Sequence, residues 1–300
     1  MTRLIAAPAK INLALRILGR REDGFHELES IFLPLDLGDA LTVECRVAPR
    51  SRVSLVVEPE DVGPWCEIPG DERNLAYRAA ARFLDETKIP LEVEIRLVKR
   101  VPVAAGLGGG SSDAAAVLRH LAGANPGAIS EARLAALALG LGADVPFFLD
   151  PRPAFVRGVG ERIDPLPDGP ALHLVLVNPG RPLATAEVFA AFGRLAPGVS
   201  APRADLRAEY GRAVTASDPI AALAALVEND LEPAAAQLCS PIRQLRERLL
   251  ALGAAGAGLS GRGPTVFGLF RSAEAAVAAR DRLGGGPAQW ARVAIAAKPG

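Results

Sequence analysis

The chain has 300 residues, 50% of them hydrophobic and 23% charged, and its 34 basic and 34 acidic side chains cancel. That suits one large or two ordinary globular domains whose core needs no metal or disulfide staple. Zero net charge provides no global field for gathering nucleic acid or an anionic membrane, so an anionic ligand must be held by local devices.

Period-two alternation from Leu4 to Leu18 predicts a strand with one buried face: Ile11, Leu13, Leu15 and Ile17 lie on one side, Lys10, Asn12, Ala14 and Arg16 on the other. Pro8 predicts an edge or a bulge near its start. After a polar turn at Gly19–Gly24, strands are expected at Glu29–Leu35, Ala40–Val47 and Val53–Val57, a helix over Leu75–Thr87 and a strand over Leu91–Val98. A glycine-rich segment follows. Beyond it Ala114, Val117, Leu118 and Leu121 give a helical stripe that Gly123 ends, and a further helix spans Ser130–Leu141. The second half predicts a strand at His173–Val177 and helices at Thr185–Phe192, Ile220–Asn229 and Ile242–Leu252. A strand at Thr265–Phe270, a helix at Ala273–Leu283 and a strand at Val293–Ala297 complete it. Asp164–Pro170 is a candidate boundary and Pro197–Arg207 a surface loop, so the reading is α+β in two parts.

Cys45, Cys66 and Cys239 are far apart and outside metal-ligand spacing, which reads as buried thiols in a reducing compartment. No secretory cleavage site follows Met1-Thr2-Arg3, and no apolar run nears the ~18 residues of a spanning helix. A cytoplasmic protein is expected, with neither membrane nor nucleic-acid partners and with its oligomeric state open.

The segment with most chemistry is Pro102, Val103, Ala104, Ala105, Gly106, Leu107, Gly108, Gly109, Gly110, Ser111 and Ser112, between a strand and a helix expected to begin at the two serines. Glycines let backbone N–H groups approach an anion, and a helix start adds unpaired donors and a positive dipole end. No Gly-Lys-Ser/Thr closes it, so it is not a Walker A loop, and no acidic residue completes a dinucleotide fingerprint. A tight connection without a ligand is the plainer alternative. Asp144, among apolar neighbours beyond a helix end, reads either as a capping residue or as a desolvated functional carboxylate.

Pro-x-x-x-Gly-Leu-Gly-Gly-Gly-Ser-Ser resembles the phosphate loop of the GHMP kinases. Two more of that family's signatures are present: Ala7-Pro8-Ala9-Lys10-Ile11-Asn12-Leu13 and Gly258-Leu259-Ser260-Gly261-Arg262-Gly263-Pro264-Thr265. Segments around Phe25-His26, Asp144 and Gly158-Val159-Gly160-Glu161 are similar to members that phosphorylate a cytidine-diphosphate polyol, and the likeness runs in order from about residue 5 to 270. The resemblance implies an N-terminal domain like the second domain of ribosomal protein S5 (residues 1–163, holding ATP). It also implies a ferredoxin-like C-terminal domain (164–300) that contributes to the substrate pocket.

The resemblance further implies ATP as phosphoryl donor, with Mg²⁺, and Lys10 and Asp144 as the catalytic pair. Asn74, Leu75 and Lys99 would join the glycine-rich segment around the nucleotide. Asn12, Phe25, His26, Val159, Thr185 and Phe189 would line the acceptor pocket. No protein metal ligand is assigned, Ser112 being the one candidate. Arg262 departs from the family's usual small residue. Rival readings are a kinase of homoserine or a mevalonate-type acid, and a nucleotide-binding regulator without turnover.

Overall fold

β1 (Ile5–Arg20) and β2 (His26–Val47) form a long antiparallel hairpin against which the rest of the chain is built. The computed structural model describes residues 4–63, 65–195, 203–284 and 289–296. Pro8 falls at a register shift between Pro8 and Lys10, as its missing N–H requires. A second shift between Asn12 and Ala14 leaves Leu13 as the extra residue and interrupts the alternation there. The expected single buried face is corrected: Lys10, Asn12 and Arg16 are only 3%, 2% and 6% exposed. Lys10 and Asn12 are roofed by the glycine-rich segment and the loop at Ser260, and Arg16 is covered by Glu29, Glu209, Glu228 and the Ala204 carbonyl, none of which sequence spacing could place.

The two strands expected at 29–35 and 40–47 are one continuous strand. Gly38 permits the close crossing, because a Cβ there would stand 2.3 Å from the Ala7 carbonyl oxygen. β3 (Arg52–Pro59) lies parallel to β4 (Leu91–Lys99), with α1 (Leu75–Thr87) as the crossover, and β4 pairs antiparallel with β2. α2 (Gly109–Ala124) and α1 bury Ala76, Ala79, Ala80 and Phe83 against Val117, Leu118 and Leu121 in one core. Small residues let these helices approach closely where aromatics are scarce. α3 (Glu131–Leu141), capped by Ser130, leads through a 3₁₀ turn at Pro146–Leu149 to β5 (Ala154–Gly158) beside the start of β2, and to β6 (Arg162–Pro165).

β7 (Leu172–Asn178) opens a second sheet. It continues through α4 (Thr185–Leu195), α5 (Leu206–Val214), α6 (Pro219–Ala224), β8 (Glu228–Asn229), α7 (Glu232–Leu238) and α8 (Pro241–Ala251). β9 (Gly256–Leu259), β10 (Val266–Phe270), α9 (Ala273–Leu283) and β11 (Trp290–Ala296) complete the chain. The order β11-β7-β10-β9, antiparallel throughout, is the ferredoxin-like arrangement. β11 touches β2 at Ala296–Leu35, which joins the two sheets.

The helix expected over Ile220–Asn229 stops at Ala224, and Glu228–Asn229 instead add to β1 in parallel. Polar contacts win there: Arg16 pairs with Glu228, Asn229 Nδ2 donates to the Leu259 and Gly261 carbonyls, and Ile17 N donates to Asp230. Of the expected loop at 197–207, residues 197–202 lie outside the described residues and Leu206 already begins α5; Ala297 is also outside. Among the described residues no helix is long and apolar enough to cross a membrane. Of the cysteines, Cys239 is buried and the other two are half-buried.

Candidate active site

α2 begins at Gly109, two residues before the serines, with Gly108 (φ 72°) as its cap and no side chain capping the first turn. The serines are therefore inside the first turn and do not cap it. Three successive carbonyls of the preceding loop are taken up by protein donors: Ala105 O by Thr265 N at 3.3 Å, Gly106 O by Ser260 Oγ at 2.9 Å, and Leu107 O by Lys10 N at 2.9 Å. With these three oxygens engaged by the protein, the donors left to a ligand are N–H groups, including those of the uncapped helix start. This is an anion cradle made without a basic side chain of its own.

Gly106 (φ 78°) shows how tightly the two glycine-rich loops dock: a Cβ there would stand 2.2 Å from Ser260 O. A Cβ on Gly108 would meet Phe148 at 2.8 Å and the Lys10 stem at 3.2 Å. Ser112 Oγ is buried without a hydrogen-bond partner among the described residues.

Lys10 and Asp144 meet as sequence spacing alone could not guarantee. The Lys10 ammonium lies 3.5 Å from Asp144 Oδ2, donates to Asn12 Oδ1 at 2.5 Å and stands 4.4 Å over the Phe32 ring. Asn12 Nδ2 in turn donates to Ser30 Oγ at 2.9 Å, and Ser30 Oγ to Ala14 O at 2.5 Å, so the face of β1 is fixed before any ligand arrives. Burial pushes the Lys10 ammonium below its ordinary pKa, opposed by Asp144 and reinforced by the charge of Arg262. Asp144, at the turn after α3, keeps 32% of its side chain exposed, more than its apolar neighbours suggest.

Of the residues expected around the nucleotide, Asn74 caps α1 by accepting from Ala76 N at 3.0 Å, with Leu75 as the first helical residue. Lys99 is not a solvated strand end. It is 2% exposed, pairs with Asp39 and lies 2.9 Å from Asp113 Oδ2. Asp39 Oδ1 also accepts from Arg100 N at 2.6 Å and Val101 N at 2.8 Å, which ties the exit of β4 to the turn of β2 just beneath the loop. Burial, with Asp39 nearby, pushes the Asp113 carboxyl up to about 8 although Lys99 pulls it down. Asp39 and Asp113 escaped sequence reading. A signal existed: period two puts Lys99 on the same face as Val93, Ile95 and Leu97, and a buried lysine demands carboxylates.

Of the residues expected to line the acceptor pocket, Phe25 is 63% exposed and is held in its turn by Arg21 N donating to Phe25 O at 2.7 Å. His26 stacks on Phe189 with ring centroids 4.7 Å apart and meets Phe192 edge-on at 6.0 Å. Burial, then Arg20, lowers the His26 pKa, which favours the neutral ring. Val159 N donates to Glu161 Oε2 at 2.6 Å beside the Leu28–Gly158 pairing that brings it near His26. Thr185 opens α4 one turn before Phe189 and is exposed. His26 and Phe189 thus join the two halves of the chain ring to ring, and a Cβ on Gly160, next to Val159, would lie 3.1 Å from Ala143, the neighbour of Asp144.

The GHMP kinases N-terminal domain matches residues 74–150 and the GHMP kinases C-terminal domain matches residues 207–286. A 4-diphosphocytidyl-2-C-methyl-D-erythritol kinase of Pelotomaculum thermopropionicum is 43% identical over 278 residues, covering 92% of this chain and 92% of its own. The chain belongs to the GHMP kinase family. An Anaeromyxobacter kinase of the same name is also 43% identical, over 91% of this chain and 84% of its own. A crystal structure of 4-(cytidine 5'-diphospho)-2C-methyl-D-erythritol kinase superposes with a TM-score of 0.77 at 37% identity, over 98% of this GHMP kinase and 99% of that chain. The homoserine kinase of Cytophaga hutchinsonii shares the fold, with a TM-score of 0.73 at 19% identity over 100% and 96% of the two chains.

Proposed function

We infer that this GHMP kinase transfers the γ-phosphoryl group of ATP to the 2-hydroxyl of 4-diphosphocytidyl-2-C-methyl-D-erythritol, giving the 2-phosphate and ADP, a step of non-mevalonate isoprenoid precursor synthesis in the cytoplasm. The Lys10–Asp144 pair beside a loop whose three carbonyls are tied away from the cleft carries the chemistry. Two relatives of that enzymatic name at 43% identity support the acceptor. The division into residues 1–163 and 164–300 rests on the two sheets; β6, at Arg162–Pro165, spans the junction.

Asp144 accepts or orients the proton of the attacking hydroxyl. Lys10 keeps that carboxylate ionised and steadies the oxygen it serves, while Asn12 aims the ammonium. The transferred group passes through a loose transition state, so positioning and charge stabilisation dominate. The glycine-rich loop and the first turn of α2 hold the triphosphate, with Asn74 and Leu75 bordering the nucleotide, while Lys99, its ammonium committed to Asp39 and Asp113, braces the loop from beneath. Phe25 offers an exposed face to the cytosine, His26 a polar edge and Phe189 a second ring, with Val159 and Thr185 at the margin. The buried, unpartnered Ser112 Oγ fits a phosphate oxygen or Mg²⁺. Mg²⁺ delivered with the triphosphate would neutralise phosphate charge there.

An ADP-release assay over the cytidyl substrate, homoserine and mevalonate tests this reading. Turnover of the cytidyl substrate alone is expected. Turnover of another acceptor in its place, or ATP binding with no turnover, overturns it.

A further inference from the structure

Arg262 stands in a turn closed by Gly263 N donating to Ser260 O at 2.9 Å, with Gly261 at φ 56° and Gly263 at φ 82°. The turn is clamped on both sides. Asn229 Nδ2 donates to Leu259 O at 2.8 Å and to Gly261 O at 2.7 Å, and Ser260 Oγ bonds Gly106 O at 2.9 Å. A Cβ on Gly261 would lie 3.3 Å from Asn12 Oδ1, the atom that accepts from the Lys10 ammonium. Position 262 is thereby held beside the catalytic lysine and the phosphate loop at once.

The guanidinium is close enough to Lys10 to lower its pKa, second only to burial among the lowering causes. Its Nε is buried with no hydrogen-bond partner, and no carboxylate stands within ion-pair distance of it among the described residues. Lys10 and Arg262 therefore bring two positive charges against the one carboxylate of Asp144. A buried guanidinium donor without a partner is costly, and its planar fork matches the oxygens of a phosphate. What the site lacks is an oxyanion.

We propose that Arg262 binds the phosphoryl group in transfer, reaching it from the late loop as a second cation opposite the backbone donors of the glycine-rich loop. This rests on the cleft being the phosphoryl-transfer site. The acceptor's diphosphate is the competing source of the same chemistry, and the test separates the two.

The full chain is compared with Arg262→Ala, Arg262→Ser and Arg262→Lys. The measurements are kcat, KM for ATP and for the cytidyl acceptor, calorimetric Kd for ADP and for a non-hydrolysable ATP analogue, and the thermal midpoint. The neutral variants should lose about 100-fold in kcat, the scale of one preorganised donor to a developing oxyanion. The lysine variant should recover part of that loss. ADP affinity should stay within about twofold while the analogue binds about tenfold more weakly, the scale of a charge-assisted hydrogen bond to the γ-phosphate. A kcat within about threefold of wild type, or a loss confined to the acceptor KM, overturns the proposal. Absence of any wild-type turnover would instead refute the proposed function. The analogue-against-ADP difference would then still decide the role of Arg262.

Discussion

Replacing Lys99 by Met removes the cation from a buried cluster while keeping the length of the side chain. Lys99 and Asp113 side chains are each 2% exposed and that of Asp39 is 0% exposed, so no water screens the loss. Breaking a buried ion pair by deleting one partner costs about 3–5 kcal/mol. Two features of the cluster place the value at the lower end. Asp39 keeps its bonds from Arg100 N and Val101 N, and Asp113, already pushed up to about 8 by burial, can take a proton near neutrality. The expected loss is about 3 kcal/mol, a fall of about 5 °C in thermal midpoint for a chain of this size.

Urea unfolding at pH 7 measures that loss, and Asp113→Asn is its companion. The folded pKa of Asp113 lies above its ordinary 3.8, so between these values the folded chain holds a proton that the unfolded chain releases. Its contribution to stability is complete below about pH 4 and is lost as the pH rises to about 8. The asparagine variant should flatten that part of the stability profile. A Lys99→Met protein within about 1 kcal/mol of wild type would refute the account of the cluster as a charge-balanced anchor.

Asp144→Asn and Lys10→Ala should each lower kcat by about 10²–10⁴-fold while a non-hydrolysable ATP analogue binds within about threefold of wild type; near-normal turnover in Asp144→Asn would remove it from the mechanism. Gly106→Ala forces a Cβ to 2.2 Å from Ser260 O at a left-handed backbone position, so stability should fall by about 1–3 kcal/mol. KM for ATP should rise with it, and an unchanged melting curve would contradict the docking of the two loops. Phe25→Ala, at a ring 63% exposed, should raise the acceptor KM about tenfold without moving the thermal midpoint or the KM for ATP.

Local periodicity and turn chemistry made much of the architecture legible. α1 spans Leu75–Thr87 as its apolar spacing predicts, Ser130 and Ser272 cap their helices, and Pro8 marks a register shift. The glycine-rich segment was readable because three consecutive glycines before a helix have few uses other than close backbone approach to a ligand. β8 was not readable, since Glu228 and Asn229 leave the helical pattern for partners about 210 residues earlier in β1 and about 30 later at Leu259 and Gly261.

The sequence by itself determined which groups this protein owns: a glycine-rich loop, a lysine and an aspartate that a family resemblance pairs, and an aromatic turn with a histidine. Only the tertiary structure decided what each group faces. It put Lys10 3.5 Å from Asp144, laid His26 on Phe189, committed Lys99 to Asp39 and Asp113, and set Arg262 near Lys10 with no carboxylate in ion-pair distance among the described residues. Spacing along a chain fixes the face of a strand or helix, but the partner across a cleft is set by how sheets and loops pack. Charge balance within a site is a property of that packing.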